Sequence, residues 1–415
     1  MNKNENKNKS IDINIVENPY NLELKDLIAL GKRANNEKRN FLFISKVLGK
    51  HLEVIPDICR AIGFILASKI YGKNEHTEQL IKFLNNPEEY KNEAKKAMNE
   101  PYEGKENICV LGFAETATGL GMAVASAIKG SYYLTTTRED ILDIKSLLNF
   151  EEEHSHATTH KCFVVDKDKV VDADRIILVD DEITTGKSMV NIIENLEETT
   201  NVKKYTVLSI LDWRGKEHKE LFNKVCKERN IQIEVVSLIS GDITVNDKTI
   251  LYDGGEAVLE ESTEVINIDA LERFDRETTS GKKSYFENSG RFGVEYSYIE
   301  DLEDKCKDAA LKIQHMLGDN KKILVLGHGE NIYIPSRVAA YLEGDIYFKS
   351  TTRSPIYCVD EETYPIKEKH SFNHEGVKYY LYNKKDIEKQ YDKVVLITEN
   401  DLNIKLTDNL VIIRL

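Results

Sequence analysis

Short, unbroken apolar runs recur along the chain, each closed by small and hydroxyl side chains: Ile108 to Leu111, Ile176 to Val179, and later KKILVLG and DKVVLIT. A continuous apolar run of this length reads as a parallel strand covered on both faces. Helical spacing follows the first two, in the alanine-rich MAVASAIKG after Gly121 and in MVNIIENL after Ser188. Strand, small-residue turn and helix in alternation predict an α/β fold, a parallel sheet flanked by helices.

The run at 175–188, RIILVDDEITTGKS, says most about chemistry. Its strand delivers two adjacent carboxylates, Asp180 and Asp181, to the carboxyl end, where open α/β sheets bind ligands. Thr184, Thr185, Gly186, Lys187 and Ser188 then form a turn at a helix start, whose unpaired amides make a phosphate cradle. Acids for sugar hydroxyls beside amides for a phosphate describe a site for a sugar 5-phosphate. A P-loop ending in the same Gly-Lys-Ser would need glycine at 181, where Asp181 stands. A receiver domain opens with a similar ILVDDE, but at its own N-terminus and without a TTGKS loop. A purely structural strand–turn–helix is the bland third reading.

Other segments share this grammar. In ENICVLGFAETATGLG, the turn from Gly112 to Gly121 is rich in glycine and threonine, so backbone can approach a ligand closely. Thr135, Thr136, Thr137 and Arg138 follow another short strand. EEEHSHATTH then carries His154, His156 and His160. That spacing is compatible with zinc, and a solvated loop with accidental histidines is the alternative. Near the N-terminus Lys50 and His51 follow an apolar stretch, as a ligand hood or as an ordinary surface cluster. Trp213, the single tryptophan, sits at the end of KYTVLSILDWRG, placed either to stack on a base or to fill a core.

The second half echoes the first. Leu111 matches Leu326, Gly112 matches Gly327, Glu115 matches Glu330, Thr137 matches Thr352 and Arg138 matches Arg353, at a constant spacing of 215. His154 matches His370 at 216, and ADRIILVDDEIT is answered by YDKVVLITENDL at 218. There Asp180 and Asp181 become Thr398 and Glu399, and nothing answers TTGKS before Leu415. The repeat predicts a second, degenerate α/β unit that kept the TTR loop and lost the paired acids.

The length of 415 residues allows two or three domains. A net charge of −14 argues against nucleic acid, so a phosphate ligand needs local donors and a cation. Six scattered cysteines without a CxxC pair fit reduced thiols and a cytoplasmic setting. No apolar run approaches the ~20 residues of a membrane helix, and MNKNENKNKS reads as a disordered polar tail.

Four apolar residues, two acids, two further residues and Thr-Thr-Gly resemble the 5-phosphoribosyl-1-pyrophosphate (PRPP) signature of type I phosphoribosyltransferases. With LGFAETATGLG, TTTRE, EEEHSHATTH and the C-terminal Thr352-Arg353-Ser354-Pro355, the chain from about 38 to 415 resembles the phosphoribosyltransferase of bacterial tellurite-resistance-type gene clusters. That family joins an orotate-phosphoribosyltransferase-like domain to a domain named for the Thr-Arg-Ser-Pro motif, and is associated with a predicted pathway for a nucleotide-like metabolite.

The resemblance implies a type I phosphoribosyltransferase fold with a related degenerate unit. It implies a tail over 1–18, a transferase domain with hood elements over 19–280, and a TRSP domain over 281–415. Asp180 and Asp181 would bind the ribose hydroxyls and, with Arg138, serve catalysis, while Thr184 to Ser188 would wrap the 5-phosphate. Glu115, Thr116, Ala117, Thr118 and Gly119 would receive pyrophosphate. His154, His156 and His160 would lie in a mobile loop that closes over it. Lys50, His51 and Trp213 are candidates for a hood over the acceptor. Mg²⁺ would arrive on PRPP, with no direct protein metal site. The implied partners are PRPP or pyrophosphate and a base-like acceptor, without membrane or nucleic acid, and a homodimer is one arrangement the sequence allows. A non-catalytic PRPP sensor and a nucleotide-hydrolysing variant are the other functions considered.

Overall fold

The computed structural model describes residues 11–33, 41–151, 159–245, 251, 256–319 and 321–415. Its larger sheet runs, edge to edge, Ile11–Glu17, Gln232–Val245, Lys204–Asp212, Arg175–Ile183, Ile108–Gly112, Tyr132–Thr135 and Val294–Glu295. The five inner strands are parallel and the two edges antiparallel. Successive residues of a strand face opposite sides, so Ile177 and Val179 feed one apolar cluster while Ile176 and Leu178 feed another. Helices Ile58–Tyr71 and Ala117–Ser126 cover the first face, and Lys187–Thr199 and Lys216–Arg229 the second. The first two helices cross closely at Gly63, where a Cβ would stand 2.5 Å from the Ala123 carbonyl carbon.

The smaller sheet repeats that plan. Its order is Val265–Asn267, Leu410–Arg414, Lys393–Thr398, Lys322–His328 and Asp345–Thr351, all parallel. The registers repeat too: Arg175 lies opposite Ile108 in the first sheet, and Lys393 opposite Ile323 in the second. Thr398 and Glu399 therefore occupy the positions of Asp180 and Asp181. Helices Tyr296–Leu317 and Tyr333–Tyr341 pack on the shared core. The other face carries Phe372 and Leu381 of the hairpin Lys369–His374/Val377–Tyr382, with Ile387 of helix Lys384–Gln390. No described helix is long and apolar enough to cross a membrane, and all six cysteines are free thiols.

Three expectations are corrected. The tail to residue 18 includes a strand: Ile11–Glu17 pairs with Gln232–Val245, with Ile11 and Ile13 half-buried and Asp12 and Asn14 exposed. An edge strand with a polar outer face looks compositionally like a tail. The boundary at 280 is not a clean cut either, because Val265–Asn267 already belongs to the second sheet while Val294–Glu295 returns to the first. Finally, His154 and His370 are not equivalent. Lys161 bridges Thr137, and Tyr380 bridges Thr352, which aligns His370 with Leu148 in the preceding strand.

The units join through one apolar core running from Val179 and Ala123 to Ile332, Tyr333 and Val338. Each also lends the other an arm. Ahead of helix Ile58–Tyr71, Val54 bridges Phe348, and Ser350 N donates to Gly49 O at 2.7 Å. Ahead of helix Tyr296–Leu317, Val294 pairs with Tyr133, and Thr135 N donates to Gly290 O at 3.0 Å. Phe348 and Tyr133 hold the same place in their units, as do Ser350 and Thr135, so the exchange is twofold-like. Both arm glycines have positive φ (69° and 79°), and a Cβ on either would collide with the aromatic ring of the strand that its arm lies along, Phe348 or Tyr133.

Beside the core, Arg337 Nη1 meets Asp57 Oδ1 at 2.7 Å and Nε meets Glu303 Oε1 at 2.9 Å. Burial pushes the Glu303 carboxyl up, but Arg337 and Arg60 outweigh it and hold it at about 2. Removing the guanidinium would take from buried Asp57 its closest cation and leave half-buried Glu303 with only Arg60 and two tyrosine hydroxyls. Arg337→Ala is expected to lower the unfolding free energy by about 3–5 kcal/mol, read from urea denaturation.

The buried histidines make stability depend on pH. Burial first, then Lys50 and Lys349, holds His51 well below the ordinary imidazole value of 6.5. Burial first, then His374, Arg353 and Lys283, does the same for His328. Below that value the unfolded chain binds protons that the folded chain refuses, so stability is full above about pH 6.5 and falls beneath it. Urea midpoints are expected to drop between about pH 7 and about pH 5, less steeply in His51→Gln.

Candidate active site

The first sheet changes direction of growth between Ile108–Gly112 and Arg175–Ile183, for the chain adds Tyr132–Thr135 on one side and then returns to the other. A crevice opens at such a switch point beyond the strand ends, and there stand Asp180 and Asp181, both half-buried. Asp181 N donates to Asp180 Oδ1 at 2.9 Å. Gly186 precedes helix Lys187–Thr199 with φ 73° and brings no capping side chain of its own, while Lys187 N donates to Thr185 Oγ1 at 3.4 Å, so the 184–188 turn folds back over the helix start. A Cβ there would lie 2.6 Å from the Phe222 ring and 3.0 Å from Arg214 Cδ, so glycine is required by space as well as by φ. Thr184, Thr185 and Ser188 are half-buried and Lys187 is exposed.

Arg214 was not singled out from the sequence. Its guanidinium grips Asp212 through Nε at 2.9 Å and Nη2 at 2.8 Å, and lies 4.3 Å from the Phe222 ring centre. That fixes a cation beside the 184–188 turn. The Asp-x-Arg spacing at a strand end was the available signal.

On the other side of the switch point, a Cβ on Gly112 would meet Ala117 O at 2.7 Å, so glycine lets the 115–119 turn fold back on its strand. Tyr133 OH donates to Thr118 O at 2.6 Å, and Ala114 N to Thr136 Oγ1 at 2.8 Å. Lys50 Nζ donates to Thr116 Oγ1 at 2.8 Å and stands 3.6 Å from Glu115 Oε2. Glu115 turns into the second unit, accepting from Thr352 Oγ1 at 2.9 Å and Arg353 N at 3.3 Å. In the reciprocal contact, Glu330 accepts from Thr137 Oγ1 at 2.7 Å and Arg138 N at 3.0 Å, while Thr118 Oγ1 reaches the Glu330 carbonyl at 3.0 Å. Gly119 abuts Ile332, where a Cβ would come within 2.8 Å.

Other expected site residues are placed differently. His160 is not on a loop: it is buried in strand Thr159–Cys162, between Thr136 Oγ1 at 3.1 Å and Arg138 Nε at 3.3 Å. Arginine must donate, so His160 accepts at Nε2 and carries its proton on Nδ1. His154 and His156 lie outside the described residues. His51 faces Tyr382 of the second unit within the inter-unit contact, its ring centre 5.9 Å away, rather than a hood cavity. Trp213 is buried against Phe43 of hairpin Ile28–Lys32/Phe41–Ser45 at 5.8 Å, and its Nε1 finds no hydrogen-bond partner among the described residues. Arg353 donates to Tyr379 Oη at 2.8 and 3.1 Å, and Ser354 N to Thr352 Oγ1 at 3.1 Å, so Thr352 to Pro355 form a turn braced from its own unit as well as by Glu115.

In the second unit the place of the paired acids is already filled. Glu399 pairs with Arg291 at 2.8 Å and accepts from Phe286 N at 3.0 Å, and the strand that follows Thr398 begins at Leu410 without an intervening helix. Among the described residues, no group of three His, Cys, Asp or Glu side chains is placed to hold a metal.

Residues 27–242 match the family described as phosphoribosyl transferase, and residues 288–413 the TRSP domain found C-terminal to it. A comparison with curated proteins returns no significant match. Among solved structures, the chain is similar to adenine phosphoribosyltransferase of Trypanosoma brucei in complex with AMP, pyrophosphate and ribose-5-phosphate, at 14% identity and TM-score 0.32, over 53% of this chain and 78% of that one. It is also similar to Mycobacterium tuberculosis orotate phosphoribosyltransferase in complex with PRPP, at 13% identity and TM-score 0.20, over 43% and 88%. Superpositions this loose decide nothing about chemistry. The family match covers more than half of the chain and coincides with the sheet that carries Asp180, Asp181 and the 184–188 turn, and the protein belongs to the phosphoribosyl transferase family, with its TRSP domain following.

Proposed function

We propose that the N-terminal unit transfers a ribosyl 5-phosphate from PRPP to a base-like acceptor. The observation that carries this is the pair Asp180–Asp181 at the switch point, with a helix start preceded by Gly186 six residues on. Carboxylates accept hydrogen bonds from vicinal hydroxyls, and charge-assisted bonds of this kind are short and strong. The amides of the 184–188 turn take the 5-phosphate, with Arg214 nearby to offset its charge.

Bond breaking at C1 leaves positive charge on the ribose ring, and the C1–O electron pair departs with pyrophosphate as the acceptor nitrogen bonds to C1. Nothing here requires a covalent enzyme intermediate, so the protein positions and stabilises. The 115–119 turn and Arg138 stand on the leaving-group side. Magnesium would arrive on the diphosphate and would offset charge on the leaving group, while Asp180 and Asp181 hold the ribose hydroxyls. The free cysteines fit a cytoplasmic setting.

Calorimetric titration of PRPP with Mg²⁺ is expected to show binding by the wild type that is weakened about 100-fold in Asp180→Asn/Asp181→Asn. Equal affinities would overturn the assignment of the acids. Gly186→Ala is expected to abolish ribose 5-phosphate binding while the chain stays folded by circular dichroism. Pyrophosphate release on adding a library of bases then separates a transferase from a sensor that binds without turnover.

A further inference from the structure

Glu330 belongs to the second unit, yet it holds both turns that border the leaving-group side of the first. Its carboxylate is buried, one oxygen taking Thr137 Oγ1 at 2.7 Å and the other Arg138 N at 3.0 Å. Its main-chain carbonyl stands 3.0 Å from Thr118 Oγ1. Arg291, from the arm laid along strand Tyr132–Thr135 of the first unit, lies 3.6 Å from the same carboxylate and compensates its charge. Arg138 is thus fixed at two points, its backbone by Glu330 and its Nε by the buried ring of His160 at 3.3 Å.

We propose that Glu330 is a positioning residue for the N-terminal site, through which the TRSP unit acts as a built-in second subunit. This rests on the transferase reading above, because only that reading gives the two turns a common ligand. Displacing a positioned group by an ångström costs catalysis or binding far more than it costs folding. Adhesion between the units does not need this contact, since the apolar core, the exchanged arms and the Arg337 network already join them. A charged acceptor placed between two site turns is instead suited to holding their spacing.

The test compares PRPP, inorganic pyrophosphate and ribose 5-phosphate, each with Mg²⁺, on full-length wild type, Glu330→Ala, Glu330→Gln and Arg337→Ala. Glu330→Ala is expected to weaken PRPP and pyrophosphate about tenfold and leave ribose 5-phosphate within about twofold. Glu330→Gln keeps an acceptor for the Arg138 amide and is expected to recover PRPP affinity to within about threefold. Arg337→Ala, destabilised but remote, is expected to bind all three as the wild type does. If Glu330→Ala weakens ribose 5-phosphate as much as PRPP, or weakens neither, the inference fails while the transferase reading stands. If the wild type itself takes up no PRPP, both fall together.

Discussion

Two buried carboxylates exchanged between the halves of the chain constrain everything near them. Glu115 reaches into the Thr352–Arg353 turn, and Glu330 into the Thr137–Arg138 turn. A buried carboxylate without donors costs several kcal/mol, so both sets of donors must be present at once. That ties the relative placement of the two sheets to the shape of the turns at their strand ends. The arms before helices Ile58–Tyr71 and Tyr296–Leu317 add a second pair of reciprocal contacts around the same approximate twofold. Lys50 and Arg291, each 3.6 Å from one of the two carboxylates, complete the exchange.

Within this near-symmetry the two units differ at the places where a sugar phosphate would bind. The first unit keeps two acids and a helix after its central strand. The second has Thr398 and Glu399, with Glu399 already paired to Arg291, and its chain passes to Leu410 without a helix. Where strands Leu148–Glu151 and Thr159–Cys162 are joined through 152–158, the second unit turns within Glu375 and Gly376, both at positive φ. The same topology thus carries paired acids and a helix start at one strand end and a filled, ion-paired strand end at the other.

Much of this was legible from residues alone because parallel strands announce themselves. Ile176 to Val179 and Ile323 to Leu326 are buried on both faces and leave no polar alternation to misread. The spacings of 215 and 218 reappear as paired registers in the two sheets. Edges and crossings were harder. Ile11–Glu17 shows alternation only briefly, and Val265–Asn267 is a three-residue strand whose sheet is completed by the far C-terminus. The equivalence of His154 and His370 misled because a difference in loop length shifted the histidines while leaving similar letters.

The sequence by itself determined the α/β class, the repeat, and the paired acids and 184–188 turn that set the first unit apart, since each rests on local pattern: apolar period, residue type and spacing. Only the tertiary structure decided what Glu115, Glu330, Lys50 and His51 do. Their partners lie tens to hundreds of residues away, and a buried charge takes its role from whichever donors folding brings to it. Composition marks such residues as polar and conditional. Packing turned them into the contacts that hold two halves of one chain around one site.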